Sequence, residues 1–167
     1  MKKTYRLSVL FIVSMELASP AQAHLIDDAK QYPKGTTEAE IRTRFASAKA
    51  TPISFPDQPG MSGVMYQSLP GHPTFEFCRK ILMATWTSND GADLIEFRHL
   101  VEENSRFLGG ADIQVTGRTD SLGKEWAEIS ANWRLSDGRL GTVEVLEYAG
   151  QGILVEQKVT DANGCLR

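Results

Sequence analysis

The sequence predicts an α+β domain in which helices pack on one face of an antiparallel β-meander, arranged as two helix-plus-strands units. Three observations lead there. Residues 84–110 switch from strand period to helix period, with Leu94, Phe97, Val101 and Leu108 at helical spacing and Leu100 beside them. Residues 126–135 alternate strictly, with Ala127, Ile129, Ala131, Trp133 and Leu135 on one side and Trp126, Glu128, Ser130, Asn132 and Arg134 on the other. Both halves of the chain also run helix first and strands after.

In chain order, residues 1–23 read as a signal peptide. Lys2, Lys3 and Arg6 precede the apolar run Leu7–Met15, and Ala21-Gln22-Ala23 is a small-x-small cleavage site. The run is far shorter than the roughly 20 residues needed to span a bilayer, so no transmembrane segment is expected after cleavage. The predicted mature domain is 24–167, periplasmic or secreted. The full chain has 18 basic and 21 acidic residues; without Lys2, Lys3, Arg6 and Glu16, 15 and 20 remain, a net charge of −5. That balance argues against nucleic acid as a partner, since phosphate binding needs clustered Lys and Arg.

Residues 24–32 place Leu25, Ile26, Ala29 and Tyr32 at helical spacing before Pro33, predicting a short helix. Thr37 and Glu40 form a capping-box pattern ahead of Ile41, Phe45 and Ala48, predicting a helix over 37–48. Residues 49–62, rich in Pro, Gly and Ser, read as a loop. Strands follow: Val64 and Tyr66 up to the Leu69–Pro73 turn, then Phe75 and Phe77 to a tight reversal near Arg79 and Lys80, then Ile81 to Trp86. A helix over 75–84 is the competing reading. Asp90 is placed as the N-cap of the long helix, with Asp93 reaching back and Gly109-Gly110 as the stop. Beyond it, Ile113 and Val115 mark a short strand, Arg118–Lys124 a polar loop, Ser136-Asp137-Gly138 a turn, Gly141–Tyr148 a return strand, and Ile153, Val155 and Val159 a last strand. Ala84, Trp86, Asp90 and Gly91 recur 47 positions later as Ala131, Trp133, Asp137 and Gly138, a hint of internal repetition.

Gly35-Thr36-Thr37-Glu38-Ala39-Glu40-Ile41, with the order of elements, resembles the small protein A family of outer-membrane assembly factors and the β-lactamase inhibitory proteins. The resemblance implies a one-layer sheet with helices on one side and a free face able to bind a protein partner. Assembly members of that family carry a lipid-bearing cysteine, and this chain has none near its cleavage site.

Cys78 and Cys165 are the only cysteines, and in an oxidising compartment an even count reads as one disulfide tying the C-terminal tail to mid-chain. Catalytic signatures are missing. Gly60-Met61-Ser62-Gly63-Val64 departs from the nucleophile elbow at Val64, and HExxH, CxxC and phosphate-loop patterns do not occur. Asp27-Asp28 and Glu102-Glu103, adjacent on helices, diverge as solvated charges. The chain therefore reads as a non-catalytic protein that binds another protein, as an inhibitor, immunity factor or envelope-assembly accessory, with no cofactor. Trp126, Glu128, Asn132 and Arg134 are the candidate partner-binding residues, because a tryptophan and an arginine on a polar strand face have the composition of binding hot spots. The competing reading folds Trp126 under the 118–124 loop. The alternative function is a small-ligand or copper-binding periplasmic protein: cleavage after Ala23 would expose His24, whose amine and ring nitrogen chelate Cu(II), with His72, His99, Asp27 or Asp28 completing the site.

Overall fold

A computed structural model describes residues 25–90, 92–119, 125–148 and 152–161. The predicted signal peptide, His24, residues 120–124 of the expected polar loop and Cys165 lie outside the described residues. Among the described residues three helices and eight strands follow one another as α1 (Leu25–Gln31), α2 (Glu38–Arg44), β1 (Thr51–Ile53), β2 (Met61–Met65), β3 (Thr74–Cys78), β4 (Ile81–Asp90), α3 (Leu94–Leu108), β5 (Asp112–Thr119), β6 (Glu125–Arg134), β7 (Leu140–Tyr148) and β8 (Gly152–Thr160). All eight strands form one antiparallel sheet in the order β1-β2-β3-β4-β8-β7-β6-β5.

That order is two four-strand meanders joined through their last strands, each preceded by a helix. Local chemistry makes the first meander. Thr37 caps α2 in a complete capping box: its hydroxyl accepts from the Glu40 N–H, and its own N–H donates to Glu40 Oε2 at 2.7 Å. The helix ends at Arg44, four residues before the predicted 48, because Phe45 turns inward. Its ring lies 4.8 Å from Tyr66 and 5.5 Å from Phe75, and the chain continues in tight turns instead of another helical turn. The stretch 49–62 is not all loop: Thr51–Ile53 forms β1, which tolerates Pro52 because it lies at the sheet edge. Residues 75–84 are strand on both sides of a reversal, and Arg79 and Lys80 adopt φ of 50° and 68°, the left-handed pair that a two-residue hairpin requires.

The long helix begins later than the sequence indicates. Strand β4 runs to Asp90, which pairs with Leu154, so the cap falls to Asp93; its Oδ1 accepts from the N–H groups of Ile95 and Glu96, both at 2.9 Å. Leu94 is consequently exposed, while Leu100 is buried and Phe97, Val101 and Leu108 pack beside it. Helix α3 carries the chain to the far edge, where β5 is eight residues long, so Arg118 and Thr119 belong to strand and not to the polar loop. Strands β6 and β7 return inward, and β8 closes against β4. The recurrence at 47 positions is not the repeat, because Trp86 lies on β4 and Trp133 on β6, on opposite faces of the sheet.

Two apolar clusters form the core. One joins Leu25 of α1 and Leu100 of α3 to Ala131, Trp133, Val143, Val145, Val155 and Val159. The other joins Tyr32 and Ile41 to Val64, Tyr66, Phe75, Phe77 and Leu82. By strand register, all of these sheet residues fall on one face. Gly141 sits on that face opposite Trp133 and Val159, and a Cβ there would lie 3.0 Å from Leu25, so the missing side chain is what lets α1 approach. Two polar groups tie the helices down. Buried Asn104 accepts the Leu25 N–H at 3.1 Å and donates to the Leu100 carbonyl. Buried Arg139 donates to the carbonyls of Ala29 and Tyr32, both at 2.6 Å, and grips Asp137 at 2.7 Å, so the β6–β7 turn caps the end of α1. Burial alone would raise the Asp137 carboxyl, but the hydrogen bonds from Arg139 hold it below the usual range.

Candidate functional site: the polar face of the sheet

Even-numbered positions of β6 point away from the core clusters. Trp126, Glu128, Asn132 and Arg134 therefore share the second face of the sheet, as the alternation predicts. Eight residues separate Trp126 from Arg134, so at about 3.3 Å per residue they stand roughly 26 Å apart. The four cannot converge on one small molecule. They form a strip.

Register with the neighbouring strands extends the strip into a surface. One rung reads Thr74, Trp86, Lys158, Thr142, Asn132 and Asp112 across β3, β4, β8, β7, β6 and β5. The next reads Ser88, Glu156, Glu144, Ser130 and Gln114, which sets Glu144 directly opposite Glu156. Below the first, Glu76, Ala84, Thr160, Leu140 and Arg134 follow, and Trp126 pairs with Tyr148 at the far end.

The centre is organised by side-chain hydrogen bonds. Thr142 Oγ1 donates to Asn132 Oδ1 at 2.9 Å, and Asn132 Nδ2 donates to Ser130 Oγ at 3.3 Å, so the orientation of Asn132 is held from both sides. Lys158 Nζ stands 5.1 Å from the centre of the Trp86 ring, within cation–π range. Burial pushes the Glu76 carboxyl up, and the nearby Lys158 ammonium pulls it the other way. Trp126 is half-buried, whereas Arg134 is exposed beside the exposed Leu140.

Of the neighbouring strands the sequence points only to Tyr148 of β7 beside Trp126, and not to the other residues of β4, β7 and β8 on this face. Alternation in Thr142, Glu144 and Leu146, and in Leu154, Glu156 and Lys158, carried a signal for two of those strands. Nothing local could have joined β4 to β8. Of the histidines expected to meet the carboxylates of α1, His24 lies outside the described residues, His72 lies in the β2–β3 turn with Nδ1 2.9 Å from the Gln67 carbonyl, and His99 is on α3. Among the described residues no group of three or more His, Cys, Asp and Glu side chains is placed to hold a metal ion. Among them also, no helix is long and apolar enough to cross a membrane. Cys78 ends β3 and is buried; Cys165, its expected partner, is outside the described residues.

What the fold and this face define is a mixed α+β protein with a broad polar sheet surface. No family model matches the chain, and no curated protein or solved structure matches it.

Proposed function

We propose that the protein is a non-catalytic exported protein that binds another protein through the polar face of its sheet, as an inhibitor, immunity factor or envelope-assembly accessory. The observation that carries this reading is the register that lines up polar side chains with Trp86 and Trp126 across β3, β4, β8, β7, β6 and β5, interrupted by Ala84, by Leu140 and by the Leu146–Leu154 pair beside Glu128. Six strands at about 4.8 Å spacing and 26 Å along β6 cover roughly 600 Å² in flat projection, approaching the ~800 Å² of accessible surface that each partner buries in a standard interface. The face combines an arginine, two tryptophans and hydrogen-bonding side chains already held in place, and rigid aromatic and arginine anchors dominate protein interfaces. Chemistry on a small substrate would require convergent groups, and these side chains are spread along rungs and strands. Placement on one face of a single-layer sheet is also the use implied by the resemblance to the inhibitory and assembly proteins. The test is a capture experiment from the producing cells with Arg134→Glu and Lys158→Glu beside the unaltered protein. Loss of one specific companion protein by both variants, with melting unchanged, supports the reading; equal capture by all three refutes it.

A further inference from the structure

The two ends of the sheet differ in how they meet solvent. Strand β1 is three residues long with Pro52 at its middle, whose ring nitrogen has no hydrogen to offer a further strand. Strand β5 is eight residues long, pairs with β6 from Asp112 to Thr119 without a register shift, and contains neither proline nor lysine. Among the described residues no strand lies beyond it. On its helix side Ile113 is 53% exposed and Val115 74%, the highest value among the large apolar side chains described. A long, regular, apolar edge is what soluble proteins ordinarily blunt, and here one end is blunted and the other is not.

We infer that β5 is the docking edge for a second copy of this chain, the two β5 strands pairing antiparallel about a two-fold axis through Gln114. An isologous contact must complement itself, and this register does. It sets Ile113 opposite Val115 of the second copy and Val115 opposite its Ile113, so four exposed branched side chains gather on the helix side. On the other side Gln114 meets its own counterpart and Asp112 meets Thr116, so no like charges oppose each other. Sliding by two residues either way sets Val115 against Ala111 or Ile113 against Gly117 and leaves a single Ile–Ile or Val–Val pair in place of the two Ile–Val pairs. Side-chain alternation forbids a slide by one, which would turn the apolar residues to the polar face. The dimer continues the sheet without covering the polar face, and so presents two such faces side by side.

Sedimentation of the purified protein over a dilution series should show a reversible dimer. Val115→Lys and Ile113→Glu should each sediment as monomers and melt at the temperature that the unaltered protein shows at dilutions where it is monomeric, since both side chains are exposed. Ile113→Glu and Val115→Lys combined in one chain should restore the dimer, because each glutamate then faces a lysine. Gln114→Cys should cross-link the dimer on oxidation: directly opposed Cα atoms lie about 4.5–5.5 Å apart, inside the range a disulfide spans. Thr116→Cys should not, because the two copies of that position lie roughly 13 Å apart. A monomer at every concentration overturns the inference and leaves the edge to a strand from another protein. A dimer that survives Val115→Lys, or that cross-links equally through Thr116→Cys, overturns it as well.

Discussion

Replacing Asp28 by asparagine should stabilise the protein at neutral pH and leave it unchanged near pH 3. Asp28 lies in α1 with 7% of its surface exposed, and burial, with a smaller contribution from the neighbouring Asp27 charge, raises its pKa from 3.8 to about 6. The folded state therefore holds the proton more tightly than the unfolded chain does. Below about pH 4 the carboxyl is protonated in both states and costs nothing. Between about pH 4 and 6 the unfolded chain releases its proton first, so stability falls, and above 6 the loss levels off. A shift of about two units corresponds to about 3 kcal/mol. Asparagine keeps the shape without the charge, so Asp28→Asn should recover up to that amount at pH 7.5 and almost none at pH 3. Urea unfolding of both proteins from pH 3 to 8 measures it. Parallel stability curves, or a variant weaker at pH 7.5, would refute the assignment of this carboxyl as a strained, buried group.

Other outcomes follow from the same structure. Arg139→Ala removes the donors to the Ala29 and Tyr32 carbonyls and the guanidinium beside Asp137, whose Oδ1 keeps the backbone N–H of residue 139, so it should cost about 2–4 kcal/mol in urea unfolding and release α1 first in hydrogen exchange. Trp133→Ala, at a site 3% exposed and with an indole N–H donating to the Gly109 carbonyl at 3.0 Å, should cost about 3–5 kcal/mol. Trp126→Ala, half-buried on the polar face, should cost only about 1–2 kcal/mol of stability while weakening partner binding by about 2 kcal/mol or more; melting as early as Trp133→Ala would count against the site. Mass spectrometry, without reductant, of the protein purified from the cells that make it should show Cys78 joined to Cys165, and Cys78→Ser should lower stability by about 2–5 kcal/mol; two free thiols would dispose of the bridge.

Features of this fold were readable where one short segment determines the outcome. The alternation of β6 places Ala131, Trp133 and Leu135 in the core because period two in a half-buried strand admits no other assignment. The Thr37–Glu40 cap, the Arg79-Lys80 reversal and the Gly109 stop are set by a few adjacent residues each. Tertiary competition decided the rest. Asp90 and Asp93 are equally good caps in isolation, and only the pairing of β4 with β8 takes Asp90 into strand. Phe45 leaves helical geometry for an aromatic cluster that includes Tyr66 and Phe75, more than 20 residues away in sequence. Asn104 and Arg139 read as surface residues by composition, yet both are buried, because each satisfies backbone groups of α1 that no local pattern announces. For the candidate site, β6 supplied four residues in line, but the surface around them depends on β8 returning between β7 and β4.

The proposed partner protein sits on the polar face of the sheet. The most direct test of that position is to place a photo-activated cross-linking residue in turn at Glu128, Asn132 and Lys158 on that face, and at Glu102 and Arg106 on α3, in the cells that make the protein. One and the same companion protein should be recovered from the three sheet positions and from neither helix position. Recovery from α3 alone, or none from the sheet, would contradict the account.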